Sequence, residues 1–252
     1  MLPMVQIGSL ALQVPVFILF LSLWLGITLS EKKTGTSKVP AAQITNLIIT
    51  GLLSSVIGAR LVYVIVYWDA FSRHFVDILS FNPAMLDIQR GILIGILAAF
   101  IYLKKKGMPA WNTLDGSVPF LAVAAVGIDL MNLASGNGYG TPTSLPWGIQ
   151  LIGAKRHPSQ LYEALAAVMI AWLVFPATRK KAFKIWTFEI PGVRFLIFVG
   201  LSAGARLFLD AFRASPGYIW GGVHSVQVAS WIILAICFWL NHRRKKAILW
   251  KE

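Results

Sequence analysis

Long apolar runs alternate with short polar connectors along almost the whole of this 252-residue chain. Runs long enough to cross roughly 30 Å of hydrocarbon fall at about 9–30, 44–67, 86–103, 117–134, 160–176, 193–210 and 223–240. Helix is the expected form of each, because a helix pairs every backbone N–H and C=O internally and lipid offers them no partner. The connectors contain no linker, no low-complexity tract and no stretch large enough for a soluble domain. The pattern predicts an all-α integral membrane protein of seven transmembrane helices, organised as a single polytopic membrane domain over residues 1–252.

Composition agrees: 57% of residues are hydrophobic and 13% charged, with a mean hydropathy of +0.69. The net charge of +13 would suit nucleic acid, but its placement argues against that partner. With the N-terminus outside, the inner connectors collect Lys32, Lys33, Lys38, then Lys104, Lys105 and Lys106, then Arg179, Lys180, Lys181 and Lys184. The tail adds Arg243, Arg244, Lys245, Lys246 and Lys251, while the outer connectors hold only Arg73, Lys155, Arg156 and Arg213. That asymmetry follows the positive-inside rule and predicts an outward N-terminus and a cytoplasmic C-terminus. The first thirty residues contain no Lys or Arg, so the basic region of a signal peptide is missing and the first span is expected to be retained. Cys237 is the only cysteine, which excludes a disulfide within the chain and reads as a small buried apolar side chain.

Polar side chains within the apolar runs are few: Arg60 in the second, Arg90 entering the third, Asp129 and Asn132 in the fourth, Arg206 and Asp210 in the sixth. Removing a charge from water is expensive, so each is a candidate for function, the alternative being a structural ion pair or an arginine that reaches up to the interface. On the expected topology Arg60, Arg90, Arg206 and the start of the fifth span share the outer half of the membrane. Arg206, Asp210 and Arg213 are spaced i, i+4 and i+7 and would share a helix face, with Asp210 tethering one arginine. Asp129 and Asn132, at i and i+3, share another. Gly-Ala-Arg-Leu occurs at 58–61 and again at 204–207, setting small residues beside each arginine. Guanidinium is always charged and grips phosphate with two parallel hydrogen bonds, so an arginine cluster facing the outer leaflet suits a lipid phosphate. The loop Ser135-Gly136-Asn137-Gly138-Tyr139-Gly140 follows the fourth span on that side, and its glycines permit close backbone approach.

The densest polar stretch is Arg156-His157-Pro158-Ser159-Gln160-Leu161-Tyr162-Glu163-Ala164-Leu165, at the mouth of the fifth span. Unpaired polar groups cost several kcal/mol each in a bilayer, on the order of a broken hydrogen bond or more. An interfacial anchor would account for Arg156 and His157, but not for Gln160, Tyr162 and Glu163 beside them. Other chemistries lack support: the four histidines (His74, His157, His224, His242) are dispersed without a metal-ligand pattern, and no nucleophile elbow or P-loop occurs. Neither metal nor cofactor is expected.

The stretch 156–165 closely resembles the signature of prolipoprotein diacylglyceryl transferases. The likeness extends to Gly58-Ala59-Arg60-Leu61-Val62-Tyr63, to Asn132 with Gly136 and Gly140, to residues 205–213 from Ala205 to Arg213, and to Gln227. The resemblance implies seven helices with an outward N-terminus, in the bacterial inner (plasma) membrane. It implies transfer of the diacylglyceryl group of phosphatidylglycerol to the cysteine thiol of a lipobox, with thioether formation and release of glycerol phosphate. The partners would be that phospholipid and a prolipoprotein lipobox peptide. On this reading Arg206 binds the phosphate, Arg60 supports the site and Asn132 orients the headgroup. Arg156, Gln160, Tyr162, Glu163, Asn137 and Gly138 complete the lipid-binding set.

Some family positions differ. Arg90-Gly91-Ile92 stands where a catalytic histidine and two glycines are expected, Asp129 where a second arginine is, Asn137 where an acid is, and Gln13-Val14-Pro15 in place of a first-span aromatic patch. Two readings follow. In one the chain is a transferase: Arg90 pairs with Asp129 and replaces the missing cation or lowers the thiol pKa, while His157 or Asp129 takes the proton. In the other it is a divergent paralogue that binds phospholipid or precursor without the parental reaction, or performs a related lipid transfer.

Overall fold

A computed structural model describes residues 4–7, 10–33, 39–80, 85–175, 190–214, 218–219 and 223–249. In chain order the elements begin with a hairpin, β1 (Met4–Ile7) and β2 (Leu10–Gln13), followed by α1 (Val14–Lys33) and α2 (Ala41–Val66). A single turn, α3 (Trp68–Phe71), and a 3-10 helix at Phe75–Leu79 lead to α4 (Ile88–Lys105) and α5 (Ala110–Ser135). A second hairpin, β3 (Ile149–Leu151) and β4 (Ala154–Arg156), precedes α6 (Ser159–Val174) and α7 (Val193–Leu209). A third, β5 (Tyr218–Ile219) and β6 (Val223–His224), precedes α8 (Ser225–Leu249).

Five helical stretches among the described residues are long and apolar enough to cross a membrane: α1, α2, α5, α8, and α7 with the turn after it. The other two expected runs are helical but fall outside that set. α6 is a shorter apolar helix of 16 residues, and α4 carries Arg90 at one end with Lys104 and Lys105 at the other. Phe20, Ile65, Phe208 and Phe238 stand two-thirds or more exposed, as suits side chains that face acyl chains rather than water.

Two boundaries differ from the hydropathy pattern. The first helix begins at Val14 rather than near residue 9, because 10–13 pair antiparallel with 4–7 and Pro15 suits a helix's first turn. The last helix runs on past 240 through the basic tail to Leu249. The hairpins in the connectors were not expected. Lys38 and the cluster 179–184 lie outside the described residues.

The chain separates into two compact units, one of Thr34–Thr113 and one of Met1–Lys33 with Leu114–Glu252. In the first, α2 packs on α4 through small residues. A Cβ added at Gly91 would lie 2.5 Å from Ala59 Cβ and 2.6 Å from the Ser55 carbonyl; one at Gly95 would lie 2.5 Å from the Gly51 carbonyl. Backbones this close trade side-chain volume for dispersion contacts, which lipid-embedded helices rely on where water supplies no hydrophobic drive.

The second unit is built around Val118 and Ala122 of α5, Ile170 and Val174 of α6, and Phe198 of α7. α1 lies against α5: a Cβ at Gly127 would meet Ser22 at 2.2 Å. The start of α7 is fixed by Asp115, whose carboxylate accepts from Gly192 N at 2.6 Å and Phe195 N at 2.8 Å. Those are orphan donors of the helix N-terminus. Arg244 of α8 donates Nε and Nη2 to the Pro191 carbonyl beside them.

Candidate functional site

The polar stretch at 156–165 is positioned by three short backbone segments laid side by side. His157 N donates to Thr141 O, Thr141 N to Phe212 O, and Ala214 N to Tyr139 O, each within 2.9–3.0 Å, with bridges pairing Pro142 with Arg156 and Gly140 with Arg213. The segment 139–142 is thus held between the start of α6 and the end of α7. Gly140 is required there: an added Cβ would come 2.3 Å from His157 O and 2.9 Å from Phe212 O. Gly138 (φ +68°) answers both to its left-handed backbone and to Arg213, whose Nη2 would lie 2.2 Å from an added Cβ.

Ser159 opens α6, and Gln160 and Glu163 follow on one face, all three at least 95% buried. Ser159 Oγ donates to Gly138 O (2.8 Å) and Gln160 Nε2 to Asn137 O (3.0 Å), fastening the glycine loop to the helix. Glu163 gathers the arginines of the sixth span. Arg206 Nη1 donates to its Oε1 at 2.8 Å, and Arg213 Nη1 lies 3.5 Å from the same oxygen. The other oxygen, Oε2, is buried with no hydrogen-bond partner among the described residues, as is Gln160 Oε1.

This differs from the expectation that Asp210 tethers an arginine. α7 ends at Leu209 and continues as a 3-10 turn over Asp210–Phe212, so i, i+4, i+7 spacing no longer describes one face. Asp210 is almost wholly buried and faces His224, with Nδ1 3.1 Å from Oδ2.

Asp129, Glu163, Arg206 and Ser202 are the polar residues in the lining of a cleft of about 90 Å³, walled otherwise by side chains such as Ala125, Phe198 and Leu209. Asp129 forms no hydrogen bond among the described residues but lies within electrostatic reach of Glu163, Arg206 and Arg213. Sharing Ala166, Ile170 and Ala205 with this cleft is an apolar groove of about 600 Å³ between α6, α7 and α8, onto which Gly200 and Gly204 open. A small charged cleft continuous with a long greasy groove has the polarity profile of one phospholipid.

Several candidates form the frame rather than the cleft lining. Arg156 donates Nε to Leu151 O and Nη1 to Gly140 O, with its guanidinium 5.1 Å over the Tyr139 ring. His157 packs on Phe212 (5.2 Å between ring centroids), and its Nδ1 lies 3.4 Å from Tyr162 Oη, which accepts from Trp147 Nε1 at 2.8 Å. Asn132 accepts through its carbonyl from Gly136 N at the end of α5.

Arg60 and Arg90 belong to the other unit. Arg60 donates Nε to Ile78 O, Nη1 to Met85 O and Nη2 to Asp77 O, and stacks on Phe71, which ties down the connector between α2 and α4. The expected partner of Arg90 was Asp129. Within its own unit Arg90 pairs with Asp87 at 2.7 Å, and Asp87 also caps α4 through Arg90 N. Trp147, the partner of Tyr162, carried no sequence signal, and Tyr139, the partner of Arg156, was read only as a member of the glycine loop, because both pairings depend on loop closure.

The family model for prolipoprotein diacylglyceryl transferase matches residues 3–242. Among curated relatives, a phosphatidylglycerol–prolipoprotein diacylglyceryl transferase of Finegoldia magna is 29% identical over 226 residues, covering 89% of this chain and 88% of that one. Proteins of the same name from Clostridioides difficile and Clostridium botulinum are 27% identical (82% and 81% coverage) and 25% identical (96% of both chains).

Proposed function

The chain belongs to the prolipoprotein diacylglyceryl transferase family, and from that premise we propose that it transfers the diacylglyceryl group of phosphatidylglycerol to the thiol of a prolipoprotein lipobox cysteine. It does so as a multi-pass protein of the bacterial inner membrane, with seven spans, an outward N-terminus and its site in the outer half. The observation that carries this reading is the Arg206–Glu163–Arg213 cluster at the head of an apolar groove.

Each part has a physical role. The acyl chains lie along the groove between α6, α7 and α8, and the headgroup enters the cleft. Arg206 Nη1 is held by Glu163, which aims its Nε and Nη2 at the phosphate; 38% of the side chain is exposed to receive it. The thiolate sulfur attacks the glyceryl carbon that carries the phosphate ester. A carbon–sulfur bond forms, the carbon–oxygen bond breaks, and glycerol phosphate leaves with the bonding pair. Charge therefore grows on the leaving oxygen, where a preorganised guanidinium lowers the barrier most. A thiol with an ordinary pKa near 8.5 must lose its proton first. We assign that proton to His157, whose Nδ1 lies 3.4 Å from Tyr162 Oη; in the tautomer protonated at Nδ1, Nε2 is the acceptor.

The test is incubation of the purified protein with phosphatidylglycerol vesicles and a lipobox peptide, read by mass spectrometry for the peptide–diacylglyceryl thioether. Product that requires both Arg206 and the peptide cysteine supports the assignment. Measurable lipid binding with no thioether would favour the second reading, a lipid-binding paralogue.

A further inference from the structure

The apolar groove between α6, α7 and α8 has a second polar end, at the far end of its length from the arginine cleft. On α8 its lining starts at Leu234 and finishes with Asn241 and Lys245. That run is about 16 Å at 1.5 Å per residue, close to the depth of one leaflet. Asn241 and Lys245 are spaced i and i+4 and share a helix face. Two neighbouring arginines are committed elsewhere: the Arg243 guanidinium lies 4.3 Å over the Trp239 ring, and Arg244 donates to the Pro191 carbonyl. Lys245 makes neither a hydrogen bond nor an ion pair among the described residues. Asn241 Oδ1 is buried and has no hydrogen-bond partner among them either. An unpaired acceptor and an unpaired cation in an otherwise apolar slot are costly unless a ligand answers both.

We propose that this end of the groove binds an anionic glycerophospholipid of the cytoplasmic leaflet, its tails along the groove, its phosphate on Lys245 and a headgroup hydroxyl donating to Asn241 Oδ1. The positive-inside pattern puts Lys245 at the cytoplasmic surface, and a basic pocket between spans on that side suits an anionic headgroup. Charge decides between occupants. A peptide helix obeying the same charge rule would bring its own basic flank to this surface and meet Lys245 with like charge. The slot is kept open by glycine: a Cβ added at Gly204 meets nothing within 4 Å, and one at Gly200 meets only Cys237, at 3.7 Å. The lipid is a second one, opposed to the donor assigned to Arg206, and the two meet tail to tail within the groove as the leaflets around them do.

Cys237, the chain's single cysteine, lines the groove, so its rate of reaction with N-ethylmaleimide in maltoside micelles reports a bound acyl chain without an introduced label. Dioleoyl phosphatidylglycerol should protect it at a concentration about fivefold lower than dioleoyl phosphatidylcholine, the factor one lysine contributes toward an anionic headgroup. Lys245→Gln should bring the two lipids within about twofold of each other, while Arg206→Ala, at the outer end, should leave the preference intact. Native mass spectrometry supplies the second reading: wild type should retain one more phosphatidylglycerol than Lys245→Gln or Gly200→Leu, the latter filling the groove beside Cys237. Equal protection by both lipids, or an unchanged preference in Lys245→Gln, overturns the proposal. Equal retention by wild type and both variants overturns it too, even where Cys237 proves unreactive. Protection lost in Arg206→Ala but kept in Lys245→Gln gives the whole groove to the donor's tails, which refutes the second lipid and upholds the donor site.

Discussion

Replacing Arg206 by alanine tests the site where structure and chemistry make different demands. Breaking a buried ion pair by removing one partner typically costs about 3–5 kcal/mol. Two features reduce that here: Arg206 is 38% exposed and was only partly desolvated, and Arg213 remains 3.5 Å from Glu163 Oε1 to neutralise it. The stability loss should therefore be about 1–2 kcal/mol, a fall of a few degrees in the apparent unfolding midpoint. Catalysis should suffer far more. Two charge-assisted hydrogen bonds to phosphate, at about 1.5–3 kcal/mol each, predict a fall in kcat/KM on the order of 10² to 10⁴. Circular dichroism on heating in detergent gives the first quantity and the thioether assay the second. Arg206→Lys should recover the midpoint but only a minor part of the activity, since an ammonium cannot grip phosphate with two parallel bonds. Transfer by Arg206→Ala within tenfold of wild type, or full recovery with lysine, refutes the phosphate-clamp argument.

Three further outcomes follow from the geometry. Asp115→Ala removes the acceptor of Gly192 N and Phe195 N, so the unfolding midpoint should drop by the equivalent of about 1–2 kcal/mol while phosphatidylglycerol affinity stays within twofold. Gly140→Ala forces a Cβ against two backbone carbonyls and should abolish transfer and lower folded yield, whereas Gly107→Ala, at φ +61° with open space around it, should cost only about 1 kcal/mol of backbone strain. Tyr162→Phe leaves Trp147 Nε1 without its acceptor and frees the His157 ring; kcat should fall about tenfold with KM nearly unchanged, and an unaltered kcat would remove His157 from the role of oriented base.

Hydropathy located the helices because a lipid-embedded segment must be both apolar and internally hydrogen-bonded, two demands that leave a long uninterrupted signal. The pairing of charges was less legible. Arg60 reads as a site arginine from its depth, yet its donors go to the carbonyls of Asp77, Ile78 and Met85, because the connector after α2 folds back in a way no periodicity records. Asp210 was assigned to the arginines on helical spacing that assumed an unbroken helix. The change to a 3-10 turn at that residue redirects it to His224 and leaves the tethering to Glu163, 43 residues before Arg206. Local spacing predicts partners only while the element persists. The polar stretch at 156–165 was recognisable as a unit, but its division into cleft residue (Glu163), loop fasteners (Ser159, Gln160) and frame (Arg156, Tyr162) depends on the three-segment pairing of 139–142, 156–157 and 212–214.

The differences from the family pattern gain a physical meaning from this arrangement. An aspartate at 129, where the resemblance expects an arginine, would only weaken a site whose task was to attract an anion. Here Asp129 and Glu163 are set against Arg206 and Arg213, so two negative charges meet two positive ones and the field is dipolar rather than positive. A dipolar cleft discriminates by orientation: it favours a ligand with negative charge at one end and hydrogen-bond donors at the other, and it gains little from a bare anion. Phosphatidylglycerol has that form, with a phosphate between its acyl chains and a terminal diol. If Arg206 is the phosphate clamp, with Asp129 rather than a second cation beside it, the aim of that one guanidinium carries the transition-state charge, and the hydrogen bond from its Nη1 to Glu163 should matter more to turnover than to folding.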